Sequence, residues 1–277
     1  AKQYRSSFAY KNGITNAFLC SFYRVATLGS GSGVAAIIYL GEHGIEYGGG
    51  FGLYMIQYAL HKISIALFSA IFFVMNWEFM RNWFGDYAGL LAAGYVLTLV
   101  ITLGLFLFCC SNRFHHLICR LLDFANQKFH GKFKIMAEEI KRQCMMLEDA
   151  SNHLMKNKKV TTEVIFLCLL KCCFWYGIPY LLFKGVRFQE NPALTLAQVL
   201  AITSLSVMLA AVIPSPAGIG STEFVFTSLF AGIVGTGMAG SASLLYRFGT
   251  FVFPFLVGTV VVIVRHIRRK RASEDLI

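Results

Sequence analysis

Two strongly apolar runs of this chain are joined by Ile213-Pro214-Ser215-Pro216-Ala217-Gly218-Ile219-Gly220-Ser221-Thr222-Glu223. Two prolines and two glycines so close together cannot continue a helix, because proline lacks the amide donor and clashes with the preceding turn. The backbone must open there. In hydrocarbon an opened backbone leaves polar groups unpaired at a cost of several kcal/mol each, so it survives only where protein or a wet cavity surrounds it. A carboxylate, Glu223, follows at once, and the stretch is expected to be the heart of a membrane site.

Composition supplies the lipid setting. Hydrophobic residues make up 56% of the 277 and charged ones only 14%, against about a quarter charged in a soluble domain. Runs of about 20 apolar residues, enough to cross ~30 Å of hydrocarbon, lie at Phe51 to Val74, Ala88 to Cys110, Val160 to Phe183 and Ser243 to Val264. Four full spans are predicted. The net charge of +11 comes largely from the start (Lys2, Arg5, Lys11), from Ser111 to Lys159, and from Arg265, Arg268, Arg269, Lys270 and Arg271. That is the positive-inside distribution rather than a nucleic-acid patch. It puts residues 111–159 and the basic tail 265–277 in the cytoplasm, with Met75 to Tyr87 (Arg81) and Gly185 to Pro192 (Arg187) outside. The cysteines avoid both external segments, CxxC pairs are absent and the histidines are scattered, so neither a disulfide framework, a metal site nor a cofactor is expected.

Two segments resist reading as spans. Residues 13–42 are apolar but broken at Thr27 to Gly33 into arms too short to cross, and residues 194–234 are broken at the opening motif; each is expected to form a re-entrant hairpin. Setting Gly31 and Gly33 over Gly218 and Gly220 gives a constant offset. A short apolar arm, a Gly-Ile pair, a glycine-rich turn and a cation-bearing span follow both. The charge rule makes the two units inverted copies, which points to a transporter's midplane site. The second unit has a span before its hairpin, so a further span ahead of Ala1 is expected. Between them, residues 111–159 read as an amphipathic helix at the membrane surface, continuing from Lys132 to Met155 as a solvated mixed-charge hairpin. His115, His116 and Asp123 are assigned there to a polar helix face. Pro254 is read as a kink, and His61 as a core residue.

At these positions the chain resembles a known family. Asn16-Ala17-Phe18 through Thr27-x-Gly29-x-Gly31-x-Gly33 to Ile38-Tyr39-Leu40, then Gly44-Ile45, resembles the first signature of the lysylphosphatidylglycerol synthase transmembrane-region family. Pro214-x-Pro216-x-Gly218-x-Gly220-x-x-Glu223 is similar to its second. The resemblance covers essentially the whole chain. It implies an all-α polytopic membrane protein of the bacterial plasma membrane, residues 1–277 forming one flippase-like domain. As in the multiple peptide resistance factor proteins, its lipid is aminoacylated phosphatidylglycerol, made by a separate soluble domain. Only Arg265 to Ile277 follow the last span, so no synthase domain and no bond-making catalysis are expected here. Membrane phospholipid is the implied partner, with a second copy of the chain or a separate synthase protein beside it. Leu28 stands where the family commonly has proline.

The expected substrate site comprises Glu223, Arg247, Arg24, Lys62, Thr27, Gly31, Gly33, Pro214, Pro216, Gly218, Gly220, Ser221 and Thr222. Helix N-termini with free amides favour phosphate, and the glycines let backbone approach, although small residues also serve helix packing. Arg24, Lys62 and Arg247 are the candidate phosphate ligands and candidate partners of Glu223, whose carboxylate suits a lysyl ammonium equally. Arg247 and Lys171 lie near enough to span ends that snorkelling explains them as well. Tyr39 and Glu42 are weaker candidates. Two other classes stay open: the membrane part of a lipid-modifying transferase of aminoacyl or polyprenyl-glycosyl type, and a scaffold docking a partner through residues 111–159.

Overall fold

A computed structural model describes residues 1, 5–128, 134–155, 157–185 and 194–274. Most of the expected external segment at Gly185 to Pro192, Arg187 included, lies outside them. Among the described residues the fold is helical without strands. The helices are α1 (Tyr10–Ala26), α2 (Gly31–Glu42), α3 (Tyr47–Met75), α4 (Trp77–Phe84), α5 (Ala88–Cys110), α6 (Asn112–Lys128), α7 (Lys134–Met155), α8 (Lys158–Gly185), α9 (Leu196–Ala210), α10 (Ser221–Val234), α11 (Thr236–Arg247) and α12 (Phe253–Glu274), with a π-helical turn, Phe248–Val252, joining the last two.

Five stretches are long and apolar enough to cross a bilayer: Tyr47–Met75, Ala88–Cys109, Lys158–Gly185, Pro216–Val234 and Thr236–Arg271. Four of them contain the runs read from sequence, so the chain is a multi-pass membrane protein. The fifth couples the Pro216–Gly218 turn to α10, whose own 14 residues reach only about 21 Å.

Specific contacts fix which helix ends lie together. Arg5 donates to the His43 carbonyl at 3.1 Å, and Glu42 binds both Arg265 and Arg269. A Cβ on Gly52 would fall 2.3 Å from the Ala150 Cβ, so α3 and α7 touch almost backbone to backbone. The start of α1, the end of α2, the start of α3, the α6–α7 pair and the end of α12 therefore share one end, the basic one. At the opposite end Asn76 donates to the Ala197 carbonyl at 3.4 Å, placing the end of α3 beside the start of α9.

At the centre stands α9, apolar on every side and buried on nearly all of them, as such a helix must be. A capping box starts it: the Gln198 amide donates to Thr195 Oγ1 at 3.3 Å, and the Thr195 amide to Gln198 Oε1 at 2.8 Å. Its hydroxyls Ser204 and Ser206 donate back to the Ala201 and Thr203 carbonyls. They thereby enter the core already paired. Around α9 pack the second half of α3 together with α5, α8 and α10, through Phe68, Tyr176, Phe226 and Phe230, and α11 joins the same core through Tyr246 against α8 and α10.

Two expectations change, and a third, at Pro254, gains its local form. Residues Lys134 to Met155 are not a solvated hairpin: α7 buries Ala137, Cys144, Leu147 and Ala150 along one face. Helical spacing collects these residues into a stripe that α3 covers. His115 is no polar-face residue but 1% exposed, its Nε2 paired with the Phe108 carbonyl at 2.5 Å across the α5–α6 corner. Asp123 stays on the polar face, accepting from Lys141 at 2.5 Å. Finally, Pro254 follows a π-helical turn, because its missing amide leaves the Thr250 carbonyl without its usual partner and the helix widens to accommodate it.

Candidate functional site

Each break turns on a left-handed pair. Leu28 (φ 52°) precedes Gly29 (φ 109°), and Ala217 (φ 53°) precedes Gly218 (φ 73°). A side chain in that region costs roughly 1–2 kcal/mol, so Leu28 and Ala217 are held there by their surroundings. A Cβ on Gly29 would lie 3.5 Å from the Ala217 amide nitrogen. The two breaks are in contact, and the counterpart of Gly218 is Gly29 rather than Gly31, the residue that the sequence offset had matched to it.

Local hydrogen bonds account for most of the break residues. Thr27 Oγ1 donates to the Tyr23 carbonyl at 2.6 Å and accepts from the Gly31 amide at 2.6 Å, ending α1 and starting α2. Gly33 lies under the Tyr54 ring, where a Cβ would come within 2.9 Å of Cε1; it serves helix packing. In the second break Ser215 and Ser221 share a hydroxyl hydrogen bond of 2.6 Å. Pro214, Pro216 and Gly220 are exposed, with Thr222 half-buried beside Gly218.

Three of the ionic residues, Glu223, Arg247 and Arg24, converge beside the breaks. Of three sequence candidates the partner of Glu223 is Arg247, whose Nε donates to Oε1 at 2.6 Å; Oε2 takes the Gly220 amide at 2.8 Å. The side chains are 30% and 13% exposed. Arg247 lies over the Phe251 ring at 4.2 Å, and Arg24 faces the same ring at 5.6 Å. Arg24 Nε is buried without a hydrogen-bond partner. Lys62 sits midway along α3 with its ammonium 5.5 Å from the Tyr58 ring.

Lys171, outside the expected site, stands midway along α8, 4.0 Å from the Trp175 ring. The mid-helix placement removes the snorkelling explanation, since no lysine reaches from there to either end of so long a helix. The charge of Arg24 is felt at Lys62, Lys171 and His61, and that of Arg247 at Arg24. The sequence signal for Lys171 was its being the lone cation of Val160 to Phe183. His61, next to Lys62 on α3, is largely desolvated, as a core placement implies, though it keeps some exposed surface.

Glu42 and Tyr39 belong elsewhere, at the basic end, where Arg265 also covers the Tyr39 ring at 4.5 Å. Burial opposes the ionisation of Glu42. The Arg269 hydrogen bond and the Arg265 charge outweigh it and hold the carboxyl below its ordinary value. The clamp therefore stabilises fully above the ordinary carboxylate range and is lost as pH falls through the lowered value. In detergent, Glu42→Gln is expected to melt below wild type at neutral pH and to converge with it in acid. Equal melting at neutral pH would show that the clamp contributes nothing.

A family model described as the lysylphosphatidylglycerol synthase TM region matches residues 4–258. No curated protein and no solved structure matches the chain.

Proposed function

The chain belongs to the lysylphosphatidylglycerol synthase transmembrane-region family, and from that premise we propose that it is a lipid translocase moving a phospholipid between leaflets. The observation that carries this reading is the contact between Gly29 and Ala217, with Arg24 and Arg247 facing one Phe251 ring and Glu223 joining Arg247 to the second break. Ionisable groups at membrane depth are costly and are retained where they handle a substrate. Broken helices meeting there make the polar surface that a headgroup needs in order to cross.

In this reading α1–α2 enters from the basic end and α9–α10 from the opposite one, each as a re-entrant hairpin. The positive-inside rule makes the basic end cytoplasmic. A headgroup phosphate is held by Arg24, Lys62 and Arg247 while the acyl tails remain in lipid. Alternate separation of the pairs from their neighbours exposes the phosphate to one leaflet and then the other. Aminoacylated phosphatidylglycerol is the first lipid to test, on the strength of the family's description.

For the scaffold reading, α3 covers the apolar face of α7, while Leu117, Leu121 and Phe124 of α6 stay exposed. A transferase needs a donor, and product formed by the purified chain from aminoacyl-tRNA or a polyprenyl sugar would favour that class instead. The deciding measurement is reconstitution: vesicles carrying the chain should exchange labelled phospholipid between leaflets faster than empty ones. No acceleration with any phospholipid would overturn the proposal.

A further inference from the structure

We propose that Arg265 and Arg269, at the basic end of α12, form a docking site for the phosphodiester of a membrane lipid, which Glu42 occupies in this structure as an internal stand-in. This deepens the translocase reading and rests on it for the purpose of the site: a lipid of the basic-end leaflet docks here before its headgroup moves inward. Arg265 and Arg269 stand four residues apart on one face of α12, and each gives an Nη2 to a different oxygen of Glu42. A phosphodiester presents a similar pair of oxygens to the same planar forks. Arg265 is positioned by the Tyr39 ring, 4.5 Å away, and Tyr39 is itself buried. The Arg269 side chain is 65% exposed, so a headgroup has a way in.

Two features make Glu42 replaceable. Among the described residues of this corner, two guanidiniums meet one carboxylate, and Arg5 adds a further cation through its bond to the His43 carbonyl. The corner therefore keeps positive charge after Glu42 is counted. Glu42 is also the last residue of α2, where the helix dipole disfavours a carboxylate. An incoming phosphate carries no such penalty.

The displaced carboxylate is not stranded. Together with Arg5, Ser7, Phe8, Asn12 and His43, Glu42 lines a cavity of about 210 Å³, and the Arg5, Ser7 and Asn12 side chains supply donors there. Glu42 thus has two places to be, and the choice between them depends on whether a phosphate holds the arginines.

The full chain in neutral detergent, titrated calorimetrically with dihexanoylphosphatidylglycerol and with inorganic phosphate, tests this. Every variant carries Arg24→Gln, which withdraws a phosphate ligand from the mid-depth site and leaves the basic end intact. Glu42→Gln should bind the lipid about tenfold more tightly than its Glu42 parent, because the internal competitor is gone. Arg269→Gln should bind it about tenfold less tightly, the size of one charge-assisted contact. Inorganic phosphate, without acyl chains, should bind more weakly than the lipid throughout. The lipid should also raise the melting temperature of Glu42→Gln more than that of the parent, although the variant starts lower.

Equal or weaker lipid binding by Glu42→Gln would overturn the inference, by making the clamp purely structural. Unchanged binding by Arg269→Gln would overturn it as well, and so would inorganic phosphate binding as tightly as the lipid, which would make this a free-anion site. Leaflet exchange by the wild-type chain keeps the two claims apart. Binding that follows Glu42 and Arg269 in a chain without exchange sinks the translocase and spares the docking site, whereas exchange with binding indifferent to both does the reverse.

Discussion

Glu223→Ala is expected to lower the melting temperature sharply and to abolish lipid exchange, while Glu223→Gln keeps most of the stability and still loses exchange. Alanine removes the Arg247 acceptor and the Gly220 acceptor together. A fully buried charge left without its partner costs about 3–5 kcal/mol; with the carboxylate 30% exposed, about 2–3 kcal/mol is the discounted expectation. Glutamine retains an oxygen for one of the two donors, at a cost of about 1 kcal/mol. What it cannot do is balance the charge of Arg247, so the field at the meeting of the breaks changes. Thermal unfolding in detergent reads the first effect and leaflet exchange the second. Removing both partners with Glu223→Gln and Arg247→Gln should cost less stability than the two single changes summed, because no lone charge is left. A Glu223→Ala melt matching wild type would remove the ion pair from the account of stability, and unchanged exchange in Glu223→Gln would remove Glu223 from the site.

Gly258→Ala should be comparably severe through packing alone. A Cβ there would lie 2.4 Å from the Phe18 carbonyl oxygen and 3.2 Å from the Phe22 nitrogen. Both obstacles are backbone, so no side chain can yield and α1 must move away from α12. Overpacking of side chains costs typically 1–3 kcal/mol, and a backbone obstacle should put this variant at about 3 kcal/mol or beyond. The stacking of Phe22 on Phe255, at 5.6 Å and nearly parallel, would go with it. Arg24 lies half a turn further along α1, so exchange should fall as well. Gly13→Ala is the matched control on the same helix: nothing lies within 4 Å of its Cβ position, and alanine there should stabilise by about 0.5–1 kcal/mol. Melting curves of the two variants in the same opposite senses are the test, and a neutral Gly258→Ala would mean that the α1–α12 contact is looser than described.

The spans were readable because hydrocarbon thickness imposes a length that a run such as Ala88 to Cys110 either meets or does not. The breaks were readable because Pro214, Pro216 and the neighbouring glycines exclude helix whatever surrounds them. Tertiary choices were not readable. Nothing local tells Glu223 to take Arg247 rather than Lys62, since the choice depends on how α10 and α11 fold back on each other. The register of the repeat failed for a similar reason. Aligning glycines matched Gly31 with Gly218, but Gly31 is small to accommodate Thr27, whereas Gly29 and Gly218 share a backbone conformation. The buried face of α7 was legible only as amphipathicity, and amphipathicity does not say whether lipid headgroups or another helix will cover it.

The exposure of the breaks has a consequence for the bilayer itself. Ala26, Thr27, Leu28 and Ser30 on one side, and Ala211 to Pro214 with Pro216, Ile219 and Gly220 on the other, present opened main chain on the outer surface of the bundle. Acyl chains cannot solvate peptide groups, so water must reach them. The bilayer is therefore expected to dimple beside Leu28 and Ile219, with headgroups drawn inward, and water accessibility of spin labels placed at those two positions checks it. A lipid starting from such a dimple has only part of the hydrocarbon thickness left to cross.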